Sequence, residues 1–188
     1  VQNKQFVESI EVFLKVIKGE LPNSKSVNDL RNILEESVLY RQIDNHYYTT
    51  MELELIYQII RQKRMNKNIV EEDIDILEGV IAYITERDRI GGWNSIGLHI
   101  RLLAGIYQDI GEIDLCYKTA LECIREMVKV QNAQVLADCL CLAGECVHEQ
   151  NEITAKKLIQ SAWWICDLYQ FLENKTSIEV VYKQLFEN

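Results

Sequence analysis

Proline is almost missing from this chain. Pro22 is the only one, and it falls in Gly19-Glu20-Leu21-Pro22-Asn23-Ser24, an obvious break. Eight glycines in 188 residues add little further punctuation, so long helices are expected. Basic residues are also short: 20 Lys and Arg against 29 Asp and Glu give a net charge of −9. That balance argues against gripping a phosphate backbone, which needs clustered cations. No apolar run is long enough to span a membrane, and the polar start Val1-Gln2-Asn3-Lys4-Gln5 is no signal peptide. A cytoplasmic protein without membrane association is expected. The initiator Met is absent too, which suggests that residues once preceded Val1.

Catalytic patterns are equally scarce. His46, His99 and His148 are far apart, with no HExxH, nucleophile elbow or phosphate-binding loop. Paired carboxylates occur only as helix-start runs, so no enzyme and no cofactor are expected. The six cysteines contain no CxxC pair. Cys116 and Cys123 are seven residues apart, as are Cys139 and Cys146, so each pair marks one helix face. A metal site would need Cys139, Cys146 and His148, but His148 lies on nearly the opposite side of its helix from Cys139. The cysteines read instead as small buried hydrophobes kept reduced, with no metal.

What the sequence does have is helical periodicity throughout. Phe6, Ile10, Phe13, Leu14 and Ile17 mark a first helix stopped by Gly19. Ser26 with Asp29 resembles a cap opening a second, with Leu30, Ile33, Leu34 and Val38. Thr49 and Glu52 form a capping-box pattern before a third. Arg61, Lys63, Arg64 and Lys67 close that helix and Glu71, Glu72, Asp73 and Asp75 open a fourth, both complementing the helix dipole. Five more follow, the last opening after Thr176-Ser177. The expected organisation is one domain over residues 1–188, with hairpins at about 3–43, 50–88, 94–129 and 133–171 and a capping helix at about 176–187.

A tripeptide returns within this pattern. Leu103-Ala104-Gly105 and Leu142-Ala143-Gly144 are 39 positions apart, each followed by a turn and a helix with small residues: Cys116, Ala120 and Cys123 after the first, Ala155 and Ala162 after the second. A self-similar helix–turn–helix unit of this period is a repeat signature. With Tyr107 and Gly111 added, residues 94–170 resemble the tetratricopeptide repeat, although no Pro closes either unit and the first-helix Trp is absent. The resemblance implies an all-α fold of about nine helices, a right-handed stack of antiparallel hairpins. Together with Thr50-Met51-Glu52-Leu53-Glu54-Leu55-Ile56, the pattern is similar to the C-terminal sensor region of Rgg/PlcR-type transcriptional regulators from Firmicutes. That likeness implies a dimerising, peptide-binding domain of a quorum-sensing type, which reaches DNA only through a domain not present in this chain. The alternative is a stand-alone interaction scaffold for a protein partner.

In such stacks the first helix of each hairpin lines a concave groove. Gln58, Arg61, Arg101, Gln108, Gln134 and Asp138 are the polar candidates for holding a peptide there, with Arg101 suited to a carboxylate. Asp109, Leu140 and His148 share that register. Gly105 and Gly144 either leave room for a ligand backbone or permit close helix packing. Trp163 and Trp164 diverge by about 100° on one helix. One is expected to pack beside Ala162, and the other to meet a neighbouring helix, a ligand or the partner of a homodimer. Gly91-Gly92 is the expected flexing point.

Overall fold

Every element among the described residues is an α-helix, as the scarcity of proline and the apolar periodicity require. The computed structural model describes residues 2–37, 48–86 and 93–187. Val38, His46, Tyr47 and Gly91-Gly92 lie outside them. The helices are α1 (Gln2–Ile17), α2 (Asn23–Glu35), α3 (Thr50–Met65), α4 (Glu71–Glu86), α5 (Trp93–Asp109), α6 (Ile113–Val130), α7 (Ala133–Val147), α8 (Glu152–Leu168) and α9 (Leu172–Phe186). The chain divides into two compact units, Val1–Gly92 and Trp93–Asn188.

In the first unit α2 packs on α1 and α3, and α4 packs on α3. The core is aliphatic: Leu30, Ile33 and Leu34 of α2, Leu55, Ile56, Ile59 and Ile60 of α3, and Ile76, Leu77 and Val80 of α4. The capping box at α3 forms as the sequence predicts, with Glu52 N–H donating to Thr49 Oγ1 and Thr49 N–H to the Glu52 carboxylate. The charge reversal that follows is more than a dipole effect. Lys63 Nζ lies 2.5 Å from Asp73 Oδ1 in a largely buried pair, and Val70 N–H donates to the other oxygen. That clamp ties the end of α3 to the start of α4.

One expectation is corrected here. Ser26 does not cap α2; the helix starts at Asn23 after extended Pro22, and Ser26 is buried. Proline fixes the extended entry, so the chain turns helical earlier than a serine cap suggests. On α1, the stripe Phe6, Ile10, Leu14 and Ile17 is exposed, while Gln5, Ser9 and Val12 are buried. The Gln5 amide donates to Ile33 O at 2.9 Å and Ser37 Oγ at 2.8 Å. It thus satisfies a carbonyl left open at the end of α2 and ties this side of α1 to α2, while the Gln5 amide oxygen is buried with no hydrogen-bond partner among the described residues.

The second unit is layered. Consecutive helices pack from α5 to α9, and α7 also touches α5 and α9, so α5, α7 and α9 form one row and α6 and α8 the other. The two Ala residues of the repeated tripeptide, Ala104 and Ala143, meet in one buried cluster with Ala120. A second cluster joins Ala137, Cys141, Ile159, Ala162, Cys166 and Ile178. Short turns connect the rows. Gly111 takes φ +83° after α5, whereas Gln131 and Gln170 adopt left-handed backbone after α6 and α8. Helix α9 starts at Leu172, before the expected Thr176-Ser177 boundary. Both hydroxyls donate back to carbonyls four residues earlier, Leu172 O and Glu173 O, and so belong to the helix interior.

Candidate ligand-binding face

The row α5, α7, α9 carries a connected set of polar side chains. Arg101 Nε of α5 lies 2.8 Å from Asp138 Oδ2 of α7. The other Asp138 oxygen accepts from Asn174 Nδ2 of α9 at 2.7 Å, and Gln134 Nε2 donates to Asn174 Oδ1 at 3.4 Å. One heptad further along both helices, Gln108 Nε2 donates to Glu145 Oε2 at 3.1 Å. The Cys141 thiol donates to the other Glu145 oxygen at 3.8 Å. Two rungs therefore cross from α5 to α7, and the first extends to α9.

The electrostatics of the rungs differ. Arg101 is 42% exposed and its charge is matched by a carboxylate that is mostly covered. Glu145 has no cation, and burial pushes its carboxyl above its ordinary value, against the hydrogen bonds from Gln108 and Cys141. Burial likewise drives the Cys141 thiol far up, so it stays protonated. The upper rung is an ion pair and the lower one a set of neutral donors around a partly desolvated acid.

Arg101, Gln108, Gln134 and Asp138 are thus brought together in one unit. Gln58 and Arg61 sit on α3 in the other unit, where Gln58 donates to Glu54 at 2.7 Å and accepts from Arg61 at 3.4 Å. Glu145 and Asn174 were not among the sequence candidates. A signal exists for Glu145, which stands one heptad after Asp138; none marks Asn174, which precedes the Thr176-Ser177 pair and lies in the first turn of α9. Leu140 packs into the α8–α9 cluster, and His148 lies edge-on to the Phe186 ring at 5.1 Å. Neither joins the polar face. Cys139 and Cys146 face Cys123 and Cys116 of α6. No group of three or more His, Cys, Asp or Glu among the described residues is arranged to hold a metal ion.

Gly144 also leaves the groove. A Cβ built there would sit 2.5 Å from Ile159 Cγ1 and 3.1 Å from Ala155 O, so the missing side chain admits α8. Gly105 is buried in α5. Gly97 plays a similar part unforeseen in the sequence: a Cβ there would collide with Met127.

The tryptophans separate as the 100° divergence requires. Trp163 packs on α9, its Nε1 donating to Glu179 at 2.9 Å and Lys175 Nζ lying 4.3 Å from its ring centroid. Trp164 stands edge-on to it and is 64% exposed. Both line a cleft of about 460 Å³ between α8 and α9, with Ile159, Ile178 and Tyr182.

Comparison with solved structures decides the architecture. Over 93% of its length the chain superimposes on Bacillus thuringiensis PlcR in complex with the peptide PapR7 and DNA, with a TM-score of 0.77 and 11% identity. It superimposes equally on PlcR in its apo form, with a TM-score of 0.76 and 11% identity. The chain shares the fold of PlcR. It spans 60–62% of the length of those PlcR chains. No protein-family model and no curated protein matches it. Among the described residues no helix is long and apolar enough to cross a membrane.

Two substitutions test this reading of the face. Gly144→Ala is expected to lose about 1 kcal/mol of stability in urea unfolding. Overpacking costs about 1–3 kcal/mol and the helix preference of Ala returns about 1 kcal/mol. A stabilised variant would mean that α8 does not need the gap. For Glu145→Gln, the folded chain holds its extra proton between the ordinary carboxylate range and the raised value, so wild-type stability falls as pH rises through that window. Gln still accepts from Gln108 and carries no charge. The variant is expected to melt higher than wild type at about pH 7, with the gain shrinking towards about pH 4.

Proposed function

We propose that this chain is the ligand-sensing repeat domain of a bacterial transcriptional regulator, binding a short peptide along the α5–α7–α9 row. The observation that carries the reading is the likeness to PlcR, which was solved with a peptide and DNA bound and which the chain matches over 93% of its length. The polar row fits it in chemistry. An extended peptide buries amide groups that need partners, at about 1–3 kcal/mol for each one left open. The side-chain amides of Gln108, Gln134 and Asn174 can rearrange to supply them. Arg101 is already paired, so a peptide carboxylate there has to displace or join Asp138. Binding that opens the Arg101–Asp138 rung would change how α5 sits on α7, which is the differential affinity a switch requires. The domain acts in the cytoplasm, reaches DNA through a domain outside these residues, and has no catalytic role.

Isothermal titration with a library of short hydrophobic peptides tests this. Binding with low-micromolar affinity or better, weakened about tenfold or more by Arg101→Ala, is the expected result. Unchanged affinity in that variant removes Arg101 from the site, and no binding by any peptide removes the sensor reading. The same proposal includes a homodimer through α8 and α9, where Trp164, Leu168 and Leu172 are exposed together. Sedimentation velocity is expected to give a dimer for wild type and a monomer for Trp164→Glu; a wild-type monomer excludes the dimer.

A further inference from the structure

Four of the six cysteines form two thiol pairs across a single interface. Cys116 of α6 faces Cys146 of α7, with 3.0 Å between the sulfurs. Cys123 of α6 is hydrogen-bonded to Cys139 of α7. The helices run antiparallel, so seven residues up α6 correspond to seven residues down α7, and the heptad spacing repeats the contact. None of the six is joined in a disulfide.

The two pairs are not equivalent. Cys123 and Cys139 lie in mid-helix, both fully buried, and Cys123 also donates to Gly97 O of α5 at 3.5 Å. The Cys123 contact and burial drive the Cys139 thiol well up, away from the reactive thiolate. Cys116 and Cys146 sit beside the helix ends, in the first turn of α6 and the last turn of α7. Cys116 is fully buried and Cys146 keeps 8% of its surface open. Hydrogen bonding with Cys116 draws its thiol below the ordinary value, against burial and the charge of Glu145.

We propose that Cys116 and Cys146 are a peroxide-responsive thiol pair whose disulfide locks α6 to α7. In the first step the Cys146 thiolate attacks one oxygen of hydrogen peroxide. An S–O bond forms, the O–O bond breaks, and the departing hydroxide takes a proton to become water. The Cys116 thiolate then attacks the Cys146 sulfenic sulfur; the S–S bond forms, the S–O bond breaks and a second water leaves. Two thiols are oxidised by two electrons and one peroxide is reduced to two waters. The sulfurs need to close by only about 1 Å to reach bonding distance. The bond joins the second helix of one hairpin to the first helix of the next, and α7 carries Asp138 and Glu145 of the polar row. The lock therefore fixes the helix that both rungs depend on. The chemistry stands whether or not a peptide binds that row.

The test is native treatment of the purified chain with hydrogen peroxide, at concentrations that leave the helical circular dichroism unchanged. Alkylation of remaining thiols and peptide mapping follow. The expected product is one intramolecular Cys116–Cys146 link, reversed by dithiothreitol, with Cys123, Cys139, Cys141 and Cys166 alkylated. In Cys116→Ala the link is lost and a sulfenic acid on Cys146 is trapped by a dimedone probe. A link through Cys123–Cys139, or no link in the helical wild-type chain, overturns the proposal. Because the mapping is done on wild type, a variant that fails to fold does not blur the outcome.

Discussion

The organisation of the second unit depends on how closely four helices can approach α7. That helix contacts α5, α6, α8 and α9, and its sequence, Ala133-Gln134-Val135-Leu136-Ala137-Asp138-Cys139-Leu140-Cys141-Leu142-Ala143-Gly144-Glu145-Cys146-Val147, is built from small residues on almost every side. Gly144 admits α8, Cys139 and Cys146 meet α6, and Ala143 joins Ala104 and Ala120. Dense packing of this kind tolerates little change in volume. The only charged residues on α7 are Asp138 and Glu145, and each is met by a donor from α5. The polar row is thus a consequence of the packing: once α7 is enclosed, its acids must find partners on the helices that enclose it.

Sequence reading succeeded where a physical constraint leaves a period in the chain. The repeated Leu-Ala-Gly placed Ala104 and Ala143 in equivalent positions, and both are core. The heptad spacing of the cysteines gave one face per helix, and those faces meet. It failed where the answer depends on which neighbour a face meets. A period of 39 equates Gly105 with Gly144 but does not say that Gly144 looks at Ile159. The same limit hid the inward face of α1. Its apolar stripe is the stronger periodic signal, yet Gln5, Ser9 and Val12 are the side turned inward, with the Gln5 amide bonded to Ile33 O. Hydrogen-bond partners twenty-eight residues away leave no local pattern to read.

Both units join helices through left-handed residues, and the first adds an ion pair. In the first, the α3–α4 junction is held by charge: Lys63 and Asp73 are paired with little water around them, and Asp73 also receives Val70 N–H. Removing one partner of such a pair strands the other and costs about 3–5 kcal/mol when burial is complete. In the second, three junctions carry left-handed residues, two of them (Gln131 and Gln170) not glycine, as Gly19 and Lys67 do in the first. Glutamine in that conformation carries a steric cost of about 1–2 kcal/mol. Packing of α7 against α6 and α8 against α9 has to exceed it.

That difference bears on where a ligand would act. A buried ion pair with excellent geometry resists gradual adjustment, whereas the amides around Glu145 and Asn174 can exchange partners. Glu145 is held by Gln108 and Cys141, neither of which carries charge. Asn174 both donates to Asp138 and accepts from Gln134. In the proposed function, a peptide on this row would exchange one set of amide bonds for another, with Arg101 available to meet its carboxylate. The proposed function would couple binding on the α5–α7–α9 row to α7, the helix that carries Asp138 and Glu145.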